Sequence, residues 1–322
     1  MRPPDVKLLI GSRWPGTSPV AATEQLRDAG LDDRILTHGV KLGSILRLRR
    51  GAYIRAVDWT GAKPWEQDKL RVQAHFLTTN AASTYSHVSA ARLHDCWVWQ
   101  GGREVHVSVP FGTSRSNHGR DVVPHHLALD ASDVVLLTAR SGSPIKTTSL
   151  ARTVLDCART LELPNAVIIG DHALRKGLTV EGLRSVLDSD AVKRGSARAR
   201  RVLDALDARS ESAGESRTRL LLRGFDVPQP EPQLAIPTDA GTFRADFAWK
   251  ERKLILEFDG RYKYFDFKST EEMLFEERRR EKKLMELGWT FIRIEWPDLA
   301  RPYELQARVV AALGRSPMPG VA

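Results

Sequence analysis

The chain is poor in cysteine. Cys96 and Cys157 are its only two in 322 residues, which excludes a disulfide framework and any cysteine-based zinc motif. Long apolar runs are also missing: no span approaches the roughly 18 uninterrupted apolar residues of a membrane helix, so none is expected. The N-terminus, MRPPDVKLLIGSRWPG, has no apolar core followed by a small-residue cleavage site, and a cytoplasmic protein is expected. Both ends, Met1 to Thr17 and Ser316 to Ala322, are rich in Pro and Gly and read as loose.

Positive charge is what the chain does have. A formal net charge of +9 favours a polyanion partner such as nucleic acid, although a basic but otherwise ordinary protein has the same balance. At 42% apolar residues each domain can bury a core, and 322 residues suit about two domains with room for a small third.

The first half reads as a basic helical front end. ATEQLRDAG (22–30) has the pattern of a short helix that Thr23 caps and Gly30 ends, and DDRILTHGVKLGSI (32–45) suggests one or two more. LRLRRGAYIRA (46–56) alternates apolar and basic residues around Gly51, as two short strands and a turn would. Helices followed by a basic hairpin suit a winged-helix DNA-binding module, with Arg47, Arg49, Arg50 and Arg55 as its DNA contacts. A solvated basic hairpin is the alternative.

Further on, WEQDKLRVQAHFLTTN (65–80) and part of 81–96 read as helices, and REVHVSVPF (103–111), VVPHHLAL (122–129) and VVLLTA (134–139) as strands. His87, His94, His106, His125 and His126 match no zinc spacing and read as surface, core-edge or nucleic-acid contacts. Residues 147–188 form a run of helices with Ser149 or Thr148 as first cap, and 192–210 a basic, then amphipathic helix.

The second half holds a group of acids. SESAGESRTRLLLRGF (210–225) is helical, and Glu211, Glu215, Thr218 and Leu222 share one face. A strand near 230–236 precedes a hairpin over 242–260. Arg244, Asp246 and Ala248 fall on one side of its first strand, and Ile255, Glu257 and Asp259 on one side of its second. Carboxylates two residues apart on a strand lie about 6.7 Å apart and can flank a divalent ion. Asp246, Glu257 and Asp259 are therefore the expected ligands of Mg2+ or Mn2+, with Glu215 as an outer or direct ligand. Gly260 lets the chain turn so that Lys263 can return to the strand end and face a phosphate. In STEEMLFEERRREKKLMELGW (269–289) a stripe of Met273, Leu284 and Leu287 should face the core. Glu277 and Arg280 interrupt that stripe: they either line the acid site, Arg280 meeting phosphate or holding Glu257, or form a structural pair. TFIRIEWPDL (290–299) gives a last strand.

LILEFDGRYKY followed by FEERRREKKLMELGWTFIRIEWPDL resembles the DUF559 family, in the very-short-patch-repair-like branch of the PD-(D/E)xK nuclease superfamily. The likeness spans about residues 210–312 and implies a restriction-endonuclease-like α/β domain with a mixed central sheet. It gives Asp246 the place of the first acid, Glu257 the second, and Glu215 the acid of the first core helix. Asp259 stands where the superfamily usually has lysine, which leaves Lys263 or Arg280 to supply positive charge. Residues 22–56, SHVSAARLHD and TTSLARTVLDCA resemble AbiEi-type antitoxins of toxin–antitoxin systems, which implies DNA binding and autoregulation.

The expected class is α/β, or α+β over the whole chain: a winged helix over 18–60, a mixed helical and strand region over 61–209 and the nuclease-like domain over 210–314. The leading reading is a DNA-binding protein with a metal-dependent phosphodiester-hydrolysing domain, an endonuclease or nickase. Glu215, Asp246, Glu257, Asp259, Lys263, Glu277 and Arg280 form its site. The alternative is an AbiEi-like antitoxin or autoregulatory transcriptional regulator with a non-catalytic second domain. The expected partner is double-stranded DNA. A homodimer would suit palindromic binding, and a toxin partner would suit the antitoxin likeness.

Overall fold

The computed structural model describes residues 3–79, 83–110, 119–138, 142–190, 192–239, 241–260 and 271–315, without the side chains of residues 3, 271–277 and 315. The protein is of mixed α/β class, with helices and three sheets. It divides into two compact units, residues 1–161 with 185–199, and residues 162–184 with 200–322.

The first unit opens with α1 (Pro3–Arg13), β1 (Val20–Ala22), α2 (Thr23–Asp28), α3 (Asp33–Lys41), β2 (Ile45–Arg49) and β3 (Ala52–Arg55). The strands form an antiparallel sheet in the order β1-β3-β2, which completes a winged-helix arrangement. The N-terminal segment is not loose. Val6, Ile10 and Trp14 recur at helical spacing and are buried with Leu26, Leu31, Leu36 and Ile45. Pro3 and Pro4 obstruct nothing, because the first turn of a helix needs no donated N–H. The N-cap of α2 is Ala22, so Thr23 is its first helical residue. Residues 32–45 give one helix, capped by Asp32, whose carboxylate accepts from the Ile35 N–H at 2.9 Å. Gly51 takes φ +89° in the β2–β3 turn, a region closed to most side chains.

There follow α4 (Ala56–Gly61), α5 (Pro64–Thr78), β4 (Thr84–Tyr85), α6 (His87–Leu93), β5 (Val105–Val109), β6 (Val122–His126), β7 (Val134–Thr138), β8 (Pro144–Thr148) and α7 (Leu150–Thr160). The strands form a five-stranded mixed sheet in the order β6-β5-β4-β8-β7. Val105, Val107 and Val109 bury one side of β5 against Val72, Phe76 and Tyr85.

The remaining elements are α8 (Leu163–Arg175), α9 (Val180–Ser189), α10 (Ser196–Ala205), α11 (Ala213–Arg223), β9 (Glu231–Thr238), β10 (Gly241–Trp249), β11 (Leu254–Phe258), α12 (Glu271–Glu286), β12 (Thr290–Ile294), α13 (Trp296–Leu299) and α14 (Pro302–Arg315). The second unit's sheet runs β12-β11-β10-β9. Its first three strands in chain order are antiparallel neighbours; β12 returns through α12 to lie parallel to β11. Strand alternation gives the sheet two apolar faces. Phe247, Trp249, Leu254, Leu256, Ile292 and Ile294 pack with Leu222 of α11 and with Leu305 and Val309 of α14. Ala248 and Ile255 pack with Leu284 of α12 and with Trp289. The expected stripe on α12 holds at Leu284, but Leu287 lies past the helix end and is exposed. Pro232 and Pro237 lie on β9, an edge strand, where a missing N–H is tolerated.

Candidate functional site

The ends of β10 and β11 and the start of α11 bring acids together. Register places Asp246 between Gln233 and Glu257: the pairs Ala245–Leu234 and Phe247–Pro232 bracket the first, and Phe247–Leu256 precedes the second. The Asp246 carboxylate accepts from the Phe258 N–H at 2.9 Å. On α11, the Ser212 hydroxyl caps the helix by accepting from the Glu215 N–H at 3.1 Å. The Glu215 carboxylate in turn accepts from the Glu211 N–H and from Gln233 Nε2, each at 2.8 Å. Helix and sheet approach closely here, and a Cβ on Gly214 would lie 1.9 Å from the Phe258 ring. Only glycine lets α11 bring Glu215 this near β11.

Electrostatics single out two of these acids. Glu215 is 6% exposed, and burial first, then the charge of Asp246, pushes its carboxyl up to about 7. Burial also raises Asp246, against the pull of the Phe258 N–H bond and with Glu211 adding repulsion. Gln233 serves Glu215 directly, its amide Nε2 donating to the carboxylate, and its side chain also favours the ionised form of Asp246. The residue holds φ +56° to do so, a conformation that costs a non-glycine residue on the order of 1 kcal/mol or more.

The remaining expected residues divide. Glu257 is half-buried, and its carboxylate faces Arg293 Nε at 3.5 Å. Asp259 continues the ladder just past β11 by donating its N–H to the Ile294 carbonyl at 2.8 Å. Arg280 does not hold Glu257: it is exposed on α12, and Arg293 takes that place, because the parallel register sets residue 293 beside 257. Arg293 also bonds Glu281 at 2.9 Å. Lys263 and the Glu277 side chain lie outside the described residues. Among the described residues no three His, Cys, Asp or Glu side chains are grouped as a metal position. Mg2+ needs less than that, one or two carboxylates plus water and substrate oxygens. Buried Glu215 and half-buried Asp246, whose charge bears on Glu215, offer such oxygens.

In the first unit the four arginines part company. Arg47 and Arg50 are exposed on the hairpin. Arg49 is largely buried, with Nε 3.5 Å from Asp121, and Arg55 pairs with Asp58 at 2.5 Å. The second helix of the helix pair, α3, turns Arg34, Thr37 and Lys41 outward, opposite buried Leu36 and Gly39. Their i, i+3, i+7 spacing was readable; the face was not singled out because one helix could not be told from two.

Three of the histidines cluster in the first unit. His87 and His125 stack with centroids 3.5 Å apart, and His106 Nδ1 hydrogen-bonds His125 Nε2 at 2.9 Å. Burial lowers His106 and His125 to about 4 and also holds His87 well below its ordinary value. His94 bonds the Thr148 carbonyl at 2.7 Å.

No family model matches the chain. It is similar to uncharacterized protein Rv2248 of Mycobacterium tuberculosis strain ATCC 25618 / H37Rv, 34% identical over 176 residues, which is 54% of this chain and 64% of the relative. Uncharacterized protein MT2308 of strain CDC 1551 / Oshkosh matches to the same extent. The match thus spans less than two thirds of the length of these curated relatives. A crystal structure of the RV2827C protein from Mycobacterium tuberculosis aligns with a TM-score of 0.40 at 15% identity, over 72% of this chain and 86% of that one.

Proposed function

We propose that this protein binds double-stranded DNA through its N-terminal winged helix and hydrolyses phosphodiesters in its second unit with Mg2+ or Mn2+. The observation that carries the proposal is the burial of Glu215 beside Asp246, whose charge raises the cost of ionising Glu215. A divalent cation relieves that repulsion. Asp246 and Glu257 would hold it, with Glu215 and Asp259 beside them and Gln233 fixing Glu215. Bound there, the cation would neutralise charge at a phosphate and lower the pKa of a ligated water. The likeness to the DUF559 nuclease-like family supports the same reading. The DNA-binding face would comprise Arg34, Thr37 and Lys41 of α3 with Arg47 and Arg50 of the hairpin, a cationic surface that suits a phosphate backbone. No helix among the described residues is long and apolar enough to cross a membrane, and a cytoplasmic site of action goes with this function.

Nicking and linearisation of supercoiled plasmid in Mg2+, Mn2+ or EDTA tests the reading. Metal-dependent cutting by wild type that Asp246→Ala and Glu257→Ala both abolish is the expected result. Cutting that survives both substitutions would overturn the assignment of the site.

A second reading is an autoregulatory, antitoxin-like DNA-binding protein whose second unit is non-catalytic. It is favoured by the absence of three converging acids among the described residues. It requires DNA binding unchanged by metal and by Asp246→Ala.

A further inference from the structure

The proposed cleavage site needs a cation for the phosphate, and among the described residues Arg293 and Arg280 are poorly placed to supply it. Arg293 is shared between Glu257 and Glu281, and Arg280 is exposed along α12. Arg244 is different. It stands two residues before Asp246 on β10, on the same side of the strand, about 6.7 Å along it. Its side chain is 55% exposed and forms an ion pair with Glu211, at the entry to α11. The pair stands close enough to Asp246 for both partners to act on its charge, Glu211 repelling and Arg244 attracting. Glu211 has a second cation: Arg175 Nη1 lies 3.4 Å from its carboxylate.

We propose that Arg244 is the phosphate-binding group of this site and that Glu211 is its resting counter-ion, which a DNA phosphate displaces. The inference rests on the nuclease reading for its place in the reaction, but phosphate binding by Arg244 is testable without it. The exchange is favourable on general grounds. An exposed Arg–carboxylate pair is weak. A guanidinium fork on phosphate makes two charge-assisted hydrogen bonds. Glu211 is not left bare, because Arg175 remains.

The test counts phosphate contacts with the full-length chain. Affinity for a fluorescent DNA duplex is measured against salt concentration in Ca2+ and, in parallel, in EDTA. Arg244→Ala is expected to reduce the slope of log affinity against log salt by about 0.9, one contact, while Arg244→Lys keeps the slope. Glu211→Gln frees the guanidinium and is expected to raise affinity by about 1.5- to 5-fold. The double variant should behave as Arg244→Ala. A wild-type slope in Arg244→Ala, or weaker binding by Glu211→Gln, would overturn the proposal. Mn2+ binding, followed in wild type and Asp246→Ala, separates the two ideas. No Mn2+ binding together with a reduced slope in Arg244→Ala sinks the nuclease reading and supports the Arg244 contact. Mn2+ binding with an unchanged slope sinks the Arg244 contact alone.

Discussion

Both units bury a carboxylate against arginine, the second through Asp171 and Arg219 at 2.6 Å, but Glu215 of the second unit is buried beside another acid. In the first unit, Asp156 is 1% exposed and accepts from Arg152 Nε at 2.9 Å. Arg152 also bonds Asp133 at 3.0 Å, and Arg159 bonds Asp190 at 2.8 Å. Burial raises Asp156 to about 6 while both arginines pull it down. In the second unit Glu215 reaches about 7 with the charge of Asp246 pushing in the same direction as burial. Its direct bonds come from backbone and amide N–H groups. A buried acid among arginines is part of the framework. A buried acid beside another acid is a place where positive charge from outside would be stabilising. The second arrangement is the one to expect of a functional site.

The largest effect that would break this comparison lies in the first unit. Arg152→Met leaves Asp156 and Asp133 without their main cation and should cost about 3–5 kcal/mol in urea unfolding followed by tryptophan fluorescence. Asp246→Asn in the second unit should instead be neutral or stabilising. Equal losses from both would erase the distinction.

Next in size is Glu215→Gln. The folded-state carboxyl is raised above its ordinary 4.5 to about 7, so between these values the native state binds more protons than the unfolded chain. Stability is therefore lost as pH rises through that window. The variant avoids this loss and should gain on wild type by up to about 3 kcal/mol as pH goes from 4.5 to 7. Parallel stability–pH curves would contradict it.

The histidine stack should show the opposite sign with a similar amplitude. His125 is held neutral down to about 4, so the unfolded chain binds more protons between that value and 6.5. Its contribution is lost as pH falls, and His125→Asn should remove up to about 3 kcal/mol of acid sensitivity. The smallest stability changes belong to the hairpin. Arg50→Ala should leave stability within about 0.5 kcal/mol yet reduce the salt slope of DNA binding by about 0.9. Arg49→Ala, which strips a largely buried partner from Asp121, should destabilise instead.

Much of this was legible in the sequence because local pattern and tertiary need agree. Gly51 between two basic-apolar runs could only be a turn, and ILEFDG after AWKERK could only be a returning strand. What was not legible depends on register and backbone geometry. Arg293 reaches Glu257 only because a parallel crossover aligns β12 with β11, which strand alternation alone does not reveal. Gln233 looks like any polar residue on an edge strand until, at a φ of +56°, its amide bonds Glu215. Pro144–Thr148 is too polar to announce a strand, and β8 forms through its pairing with β4 and β7. The first helix was obscured by Pro3, Pro4 and Gly11, although Val6, Ile10 and Trp14 carried its period.

The most direct test of the central claim is the change in thermal unfolding temperature of the full chain on adding Mg2+ or Mn2+ at pH 7. A cation held by the acids of the second unit should raise the melting temperature of wild type, and Asp246→Ala should abolish that rise. An unchanged melting temperature in wild type, or the same rise in Asp246→Ala, would show that these buried acids do not take a cation.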